Sequence, residues 1–230
     1  MNHSYLDAAR IGKASHWRYL GGTLWILFAY VGLGFILILA LSRLFFPDVP
    51  LEDIADPLKA GSLPAQAILL AGFIPFFIAC LIVSPWIHKR PWLAVITVNT
   101  KINWERIALG FGLWFGIIAL LTIADALLMH DPKDFTFSFD PNTFYFALVL
   151  SLLLISIQAA TEELFFRGYL MQWFSLLNRN RLWLSFISGG AFVIPHFANP
   201  ETIHYPIPYM LGIFLIGFLL GWISVHEGTL

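Results

Sequence analysis

Glu162 and Glu163 stand side by side in the stretch "QAATEELFFRGYL", residues 158–170, and Arg167 follows one helical turn later. On a helix Glu163 and Arg167 are four residues apart with the acid on the N-terminal side, the favoured order for an ion pair. Glu162 points about 100° away from its neighbour, and Phe165 and Phe166 occupy the positions where a base would reach it. One carboxylate is therefore neutralised locally, while the other faces apolar groups that oppose its charge. Carboxyl groups in divergent environments are where acid and base roles separate. A plainer reading stands beside this one: the Glu163–Arg167 pair closes a helix end and Glu162 is hydrated there. A charged side chain at mid-membrane costs on the order of 2.5–3.5 kcal/mol even on lenient insertion scales, so something must offset it.

A second cluster lies in "GGAFVIPHF", residues 189–197. Phe192 and His196 are four apart and share a helical face. Pro195 has no N–H for the Ala191 carbonyl, which leaves a kink or a free acceptor beside the histidine. Gly189 and Gly190 allow a neighbouring helix to approach closely. An imidazole in one membrane helix is a natural partner for a carboxylate in another. Together they could polarise a water with Glu162 as general base, or bind a divalent metal such as zinc through Glu162 and His196. The alternative for a lone histidine is a satisfied core residue.

The elements that carry these groups are apolar. The chain has 230 residues, 59% hydrophobic and 12% charged, against about a quarter charged in soluble domains. It reads as an all-α, polytopic helical membrane protein. Six spans are expected, at 19–46, 63–87, 107–129, 143–166, 182–198 and 205–225, the fifth being the shortest. Proline-containing breakers separate them, such as "FPDVP" at 46–50 and "HKRPW" at 88–92. Residues 169–178 read as a short interfacial helix with Tyr169 and Trp173 at headgroup level. Neither a signal sequence nor a fixed repeat is evident. Chain regions follow as a tail, 1–18; three helices, 19–142; and a motif-bearing core, 143–230.

Basic residues alternate between loops. Arg10, Lys13 and Arg18, then Lys89, Arg90, Lys101 and Arg106, then Arg167, Arg179 and Arg181 fall on one side; only Lys59 and Lys133 fall on the other. This positive-inside pattern places the N-terminus in the cytoplasm, and Glu162 and Glu163 near the cytoplasmic end of the fourth span. His196, at the far end of a fifth span running outward, meets Glu162 only if that segment is irregular, re-entrant or shallower. The net charge of −1 and the absence of a basic patch give no footprint for nucleic acid.

Cys80 sits in an apolar run and reads as a small buried hydrophobe. Ser156 and Gln158 read as hydrogen-bonding between helices, and the pairs Gly112/Gly116 and Gly217/Gly221 as close-packing faces. His204 belongs to an outer loop, remote from the carboxylates.

With these residues in place, "EELFFRG" reads as an EExxxR motif and "FVIPH" as the FxxxH motif that follows it about 30 residues later. The chain resembles the CPBP family of intramembrane proteases, also called Abi or type II CAAX prenyl endopeptidase-like, over roughly residues 143–230. The resemblance implies an all-helical membrane fold with a cavity open toward the cytoplasm. It also implies a glutamate-dependent endopeptidase in which Glu162 is general base, His196 assists, Glu163 and Arg167 hold geometry and Phe192 packs the site. Whether metal takes part is open. The family's later HxxxN motif, thought to stabilise the oxyanion, has no counterpart before Leu230. "HEGTL", residues 226–230, resembles the opening of the helix that carries it, so one or two further C-terminal helices are expected. It is not an HExxH zinc motif, since Leu230 occupies the second histidine's place.

The reading is a multi-pass protein, of a bacterial inner membrane by the resemblance, that hydrolyses a peptide bond near the cytoplasmic face. Its partners are membrane lipid and a peptide or protein substrate. The alternative is a non-catalytic immunity or scaffold protein of the same fold. A transporter built from two repeated halves has no support in the sequence.

Overall fold

The computed structural model describes residues 5–51, 63–97, 101–128, 139–199 and 201–227. Among the described residues, five helices are long and apolar enough to cross a membrane: α1 His16–Phe45, α2 Leu63–His88, α3 Trp104–Leu128, α4 Pro141–Phe174 and α6 Pro206–Glu227. Between the last two lies α5, Arg181–His196, with 16 residues. The chain is a polytopic all-α membrane protein. Six apolar segments are all helical, but the fifth is shorter than the roughly 20 residues a full crossing requires. The loop charges at Glu52, Asp53, Asp56, Lys59, Asp131, Lys133 and Asp134 lie outside the described residues.

Helix boundaries follow from local chemistry. Asp140 caps α4 by accepting the Thr143 N–H at 2.8 Å, with Pro141 at the first helical position. That hydrogen bonding holds the Asp140 carboxyl below the ordinary carboxylate range. Asn180 caps α5 through the Trp183 N–H at 3.0 Å.

The largest departure from the sequence reading concerns α4. It does not end near residue 166 but runs to Phe174, and Tyr169, expected in a separate interfacial helix, is part of it and fully buried within the fold. Its residues Leu164–Leu170 form a wider π turn, every one of them buried. Arg167, Gly168 and Tyr169 look like a helix end in sequence. Packing supplies the partners that keep the helix going.

The main core joins α1, α2, α4 and α5: Tyr19, Ile26, Phe76, Cys80, Val83, Phe165, Tyr169 and Phe192 belong to one buried cluster. At its edge a buried polar network holds the N-terminal turn Tyr5–Arg10 against the helix ends. Arg90 donates to the Ala8 carbonyl (2.5 Å), the Tyr19 hydroxyl (3.1 Å) and the Gln172 side-chain oxygen (2.8 Å). His88 bridges the Lys13 carbonyl and the Tyr169 hydroxyl at 3.2 and 2.9 Å.

Tyr169 passes so close to α1 that a Cβ on Gly22 would sit 1.9 Å from its oxygen. Gly22→Ala is therefore expected to push Tyr169 off His88 and to cost at least the roughly 1–3 kcal/mol of an overpacked core. Thermal unfolding in detergent micelles checks this, and an unchanged midpoint refutes it.

Helices α5 and α6 meet at glycines. A Cβ on Gly189 would lie 2.9 Å from the Phe214 carbonyl oxygen, and one on Gly217 would lie 3.0 Å from the Gly189 Cα. Gly221 is in the same contact, whereas Gly190, Gly112 and Gly116 have open space around them. Among the described residues, the Gly112/Gly116 pair thus makes no close helix contact. Helix α3 has no buried residue; an exposed Arg106–Glu227 ion pair at 2.6 Å links it to α6.

Candidate active site

Glu162 lies on α4 twelve residues before Phe174, and His196 lies on α5 fifteen residues after Arg181. At 1.5 Å per residue these are about 18 and 22 Å from the connection between the helices. Two neighbouring helices joined by a short link run antiparallel, so the two side chains arrive at a similar depth. The geometric conflict raised by the sequence arose from ending α4 too early.

Both residues line one cavity of about 390 Å³, within the size range of ligand pockets. Its polar lining is Thr23, Tyr30, Gln158, Glu162, His196 and Asn199; its apolar lining includes Leu27, Phe73, Phe76, Phe165, Phe166 and Ile194. Glu162 is half-buried and accepts a hydrogen bond from the Gln158 amide at 3.3 Å. His196 and Arg167 both lie within its electrostatic reach.

The ring of His196 is oriented from its own helix. Its Nδ1 is 2.7 Å from the Phe192 carbonyl oxygen. A carbonyl only accepts, so Nδ1 is the donor in this contact and Nε2 is the ring nitrogen left for other partners. Pro195 stays inside α5 and lines the cavity beside the imidazole.

Behind the two lies a buried charge. Arg167 has no exposed side-chain surface, and its Nη1 is 3.0 Å from the Glu163 carboxylate. Its Nη2 points at the Gly217 carbonyl at 3.4 Å, and its guanidinium carbon sits 4.2 Å over the Phe192 ring. Phe192 in turn contacts the His196 ring with centroids 4.6 Å apart. The phenyl ring thus stands between the arginine and the imidazole, joining α4, α5 and α6. A cation over an aromatic face is favourable, and more so when desolvated.

All five residues singled out from sequence fall in this region, Glu162 and His196 on the cavity and Glu163, Arg167 and Phe192 in and around the packing behind it. Among the described residues, the side chains of Ser156 and Gln158 bond within their own helix rather than between helices. Ser156 reaches the Ser151 carbonyl of its own helix at 3.5 Å, and Gln158 serves Glu162. Three residues went unnoticed: Thr23 and Tyr30 on α1, and Asn199 just beyond α5. Their polar tips in or beside apolar runs were the available signal.

Comparison with known proteins fits this placement. The model of the family described as type II CAAX prenyl endopeptidase Rce1-like matches residues 142–230. Over these residues the chain is similar to that family. The Rce1-like segment holds Glu162, Glu163, Arg167, Phe192 and His196, while α1 and α2 bring the facing wall from outside it. A curated relative, the uncharacterized protein YyaK of Bacillus subtilis (strain 168), is 36% identical over 145 residues, 63% of this chain. The chain spans about half that relative's length, 48%. No solved structure matches.

Among the described residues no three His, Cys, Asp or Glu side chains converge, whereas catalytic zinc sites take three protein ligands. Glu162 and His196 provide two donors, and this set does not fit such an ion.

Proposed function

We propose that this CAAX protease-like membrane protein is an intramembrane endopeptidase in which Glu162 and His196 activate water. The single observation that carries the reading is the shared cavity, which Glu162 and His196 both line while Nδ1 of His196 is taken up by the Phe192 carbonyl.

Water held between the two groups gives a proton to the Glu162 carboxylate. Its oxygen forms a bond to the peptide carbonyl carbon while the C=O π pair moves onto the carbonyl oxygen. Nε2 of His196 accepts a hydrogen bond from the same water and orients it. When the oxygen pair returns, the C–N bond breaks, and the proton held by Glu162 passes to the leaving amine. Glu163, Arg167 and Phe192 act through position: they hold the imidazole wall against α4 and α6. The positive-inside pattern puts the N-terminus in the cytoplasm, and by family likeness the membrane is a bacterial inner membrane. The substrate is a peptide segment that enters the cavity with lipid around it.

The test is cleavage of quenched-fluorescent peptides by the full chain in liposomes. His196→Gln is expected to lower kcat by about 10²-fold, the scale of a mispositioned reactant, and a chelator is expected to leave the wild-type rate unchanged. Full activity of the variant sinks the reading. If no peptide is cleaved while partner capture persists, the chain is a binding or immunity protein instead.

A further inference from the structure

Helix α1 lies outside the Rce1-like segment, yet it supplies one wall of the cavity. Thr23, Leu27 and Tyr30 line it, spaced four and three residues apart and therefore on one helical face. A π turn, Ala29–Leu33, begins one residue before Tyr30. Such insertions re-aim side chains and recur at functional sites.

Tyr30 is held by its ring. Phe73 and Phe76 of α2 contact it with centroids 5.2 and 4.7 Å away. From Phe76 a series of ring contacts runs through Phe165, Phe166 and Phe192 to His196, each with centroids between 4.6 and 5.4 Å apart. This aromatic belt holds the Tyr30 wall at a set distance from the imidazole wall. The Tyr30 hydroxyl lies within electrostatic reach of Glu162.

The two amide donors on the cavity are engaged, whereas the buried Thr23 hydroxyl, seven residues before Tyr30 on α1, has no hydrogen-bond partner among the described residues. The Gln158 amide serves Glu162 at 3.3 Å, and the Asn199 amide donates to the Tyr209 hydroxyl at 2.5 Å. Hydrolysis of a peptide bond places negative charge on the carbonyl oxygen, and that oxygen needs a donor it did not need in the ground state. We propose that Tyr30 is a catalytic residue whose hydroxyl donates a hydrogen bond to the developing oxyanion, so that α1 completes a site begun by α4 and α5. The inference rests on the endopeptidase reading above.

Three proteins decide it: wild type, Tyr30→Phe and Glu162→Gln, each as the full chain in liposomes with a library of quenched-fluorescent apolar peptides. Tyr30→Phe keeps the ring that packs on Phe73 and Phe76 and removes only the hydroxyl. Its kcat is expected to fall by about 10²–10³, with KM and the unfolding midpoint unmoved. If Glu162→Gln is inactive and Tyr30→Phe turns over like wild type, the Tyr30 role is wrong and the endopeptidase reading survives. If Glu162→Gln keeps full activity, or wild type cleaves nothing, both fall. Should Tyr30→Phe not fold, a fluorinated tyrosine at position 30 keeps ring and hydroxyl but makes the phenol a stronger donor. A kcat unchanged by it overturns the proposal.

Discussion

Glu162→Gln is expected to reduce peptide cleavage by about 10²–10⁴ in kcat while the protein stays folded. The exchange is isosteric, and an amide oxygen can still accept the Gln158 hydrogen bond seen at 3.3 Å. What disappears is the ability to take a proton from water at neutral pH. His196 keeps its Nδ1 contact with the Phe192 carbonyl at 2.7 Å, so the imidazole side of the cavity is expected to be unchanged in the variant. The measurement is single-turnover cleavage in liposomes beside a melting curve. A variant as fast as wild type would falsify the role of Glu162. A slow variant with a collapsed melting curve would move Glu162 from chemistry to folding.

Removing the buried charge should have the largest effect on stability. Arg167→Met leaves Glu163 without its partner and takes the guanidinium from the Phe192 face, where it now sits at 4.2 Å. Breaking one half of a buried ion pair costs about 3–5 kcal/mol, because the remaining charge is stranded. Here the discount for solvent is modest: Arg167 is fully enclosed, though Glu163 keeps 32% of its side-chain surface exposed. The double variant Glu163→Gln/Arg167→Met removes the stranded acid and should recover much of the loss. Denaturation in mixed micelles with both variants measures the coupling. An Arg167→Met protein as stable as wild type, or a double variant less stable than the single one, contradicts the account.

Much of the fold could be read from the residues. Long apolar runs are helices because a chain in lipid must satisfy its backbone internally, and hydropathy marks where they are. The segment at 182–198 was already the shortest, and it forms the 16-residue α5. The Glu163–Arg167 contact was legible too, since four residues is a helical repeat and needs no tertiary knowledge. The course of α4 past Glu162 was not. In sequence, Arg167-Gly168-Tyr169 carries a charge, a helix breaker and an interfacial aromatic, all signs of a terminus. Tertiary partners reverse two of these signs: Phe192 and the Gly217 carbonyl for the arginine, His88 and the Tyr19 carbonyl for the tyrosine.

The same division holds at the cavity. Types and spacings along one helix are properties of the local chain, so the motif residues and their pairing on α4 or α5 follow from composition and the 3.6-residue period. Distances between helices depend on how far each slides against its neighbour. That register is set by contacts between residues remote in sequence: Tyr169 over Gly22, Gly189 against Gly217, and Arg90 gathering Ala8, Tyr19 and Gln172. Hydrophobic patterning does not encode them, because lipid-facing and protein-facing surfaces are equally apolar. Only close packing and buried hydrogen bonds decided that Glu162, His196 and Tyr30, from three different helices, would open onto one space.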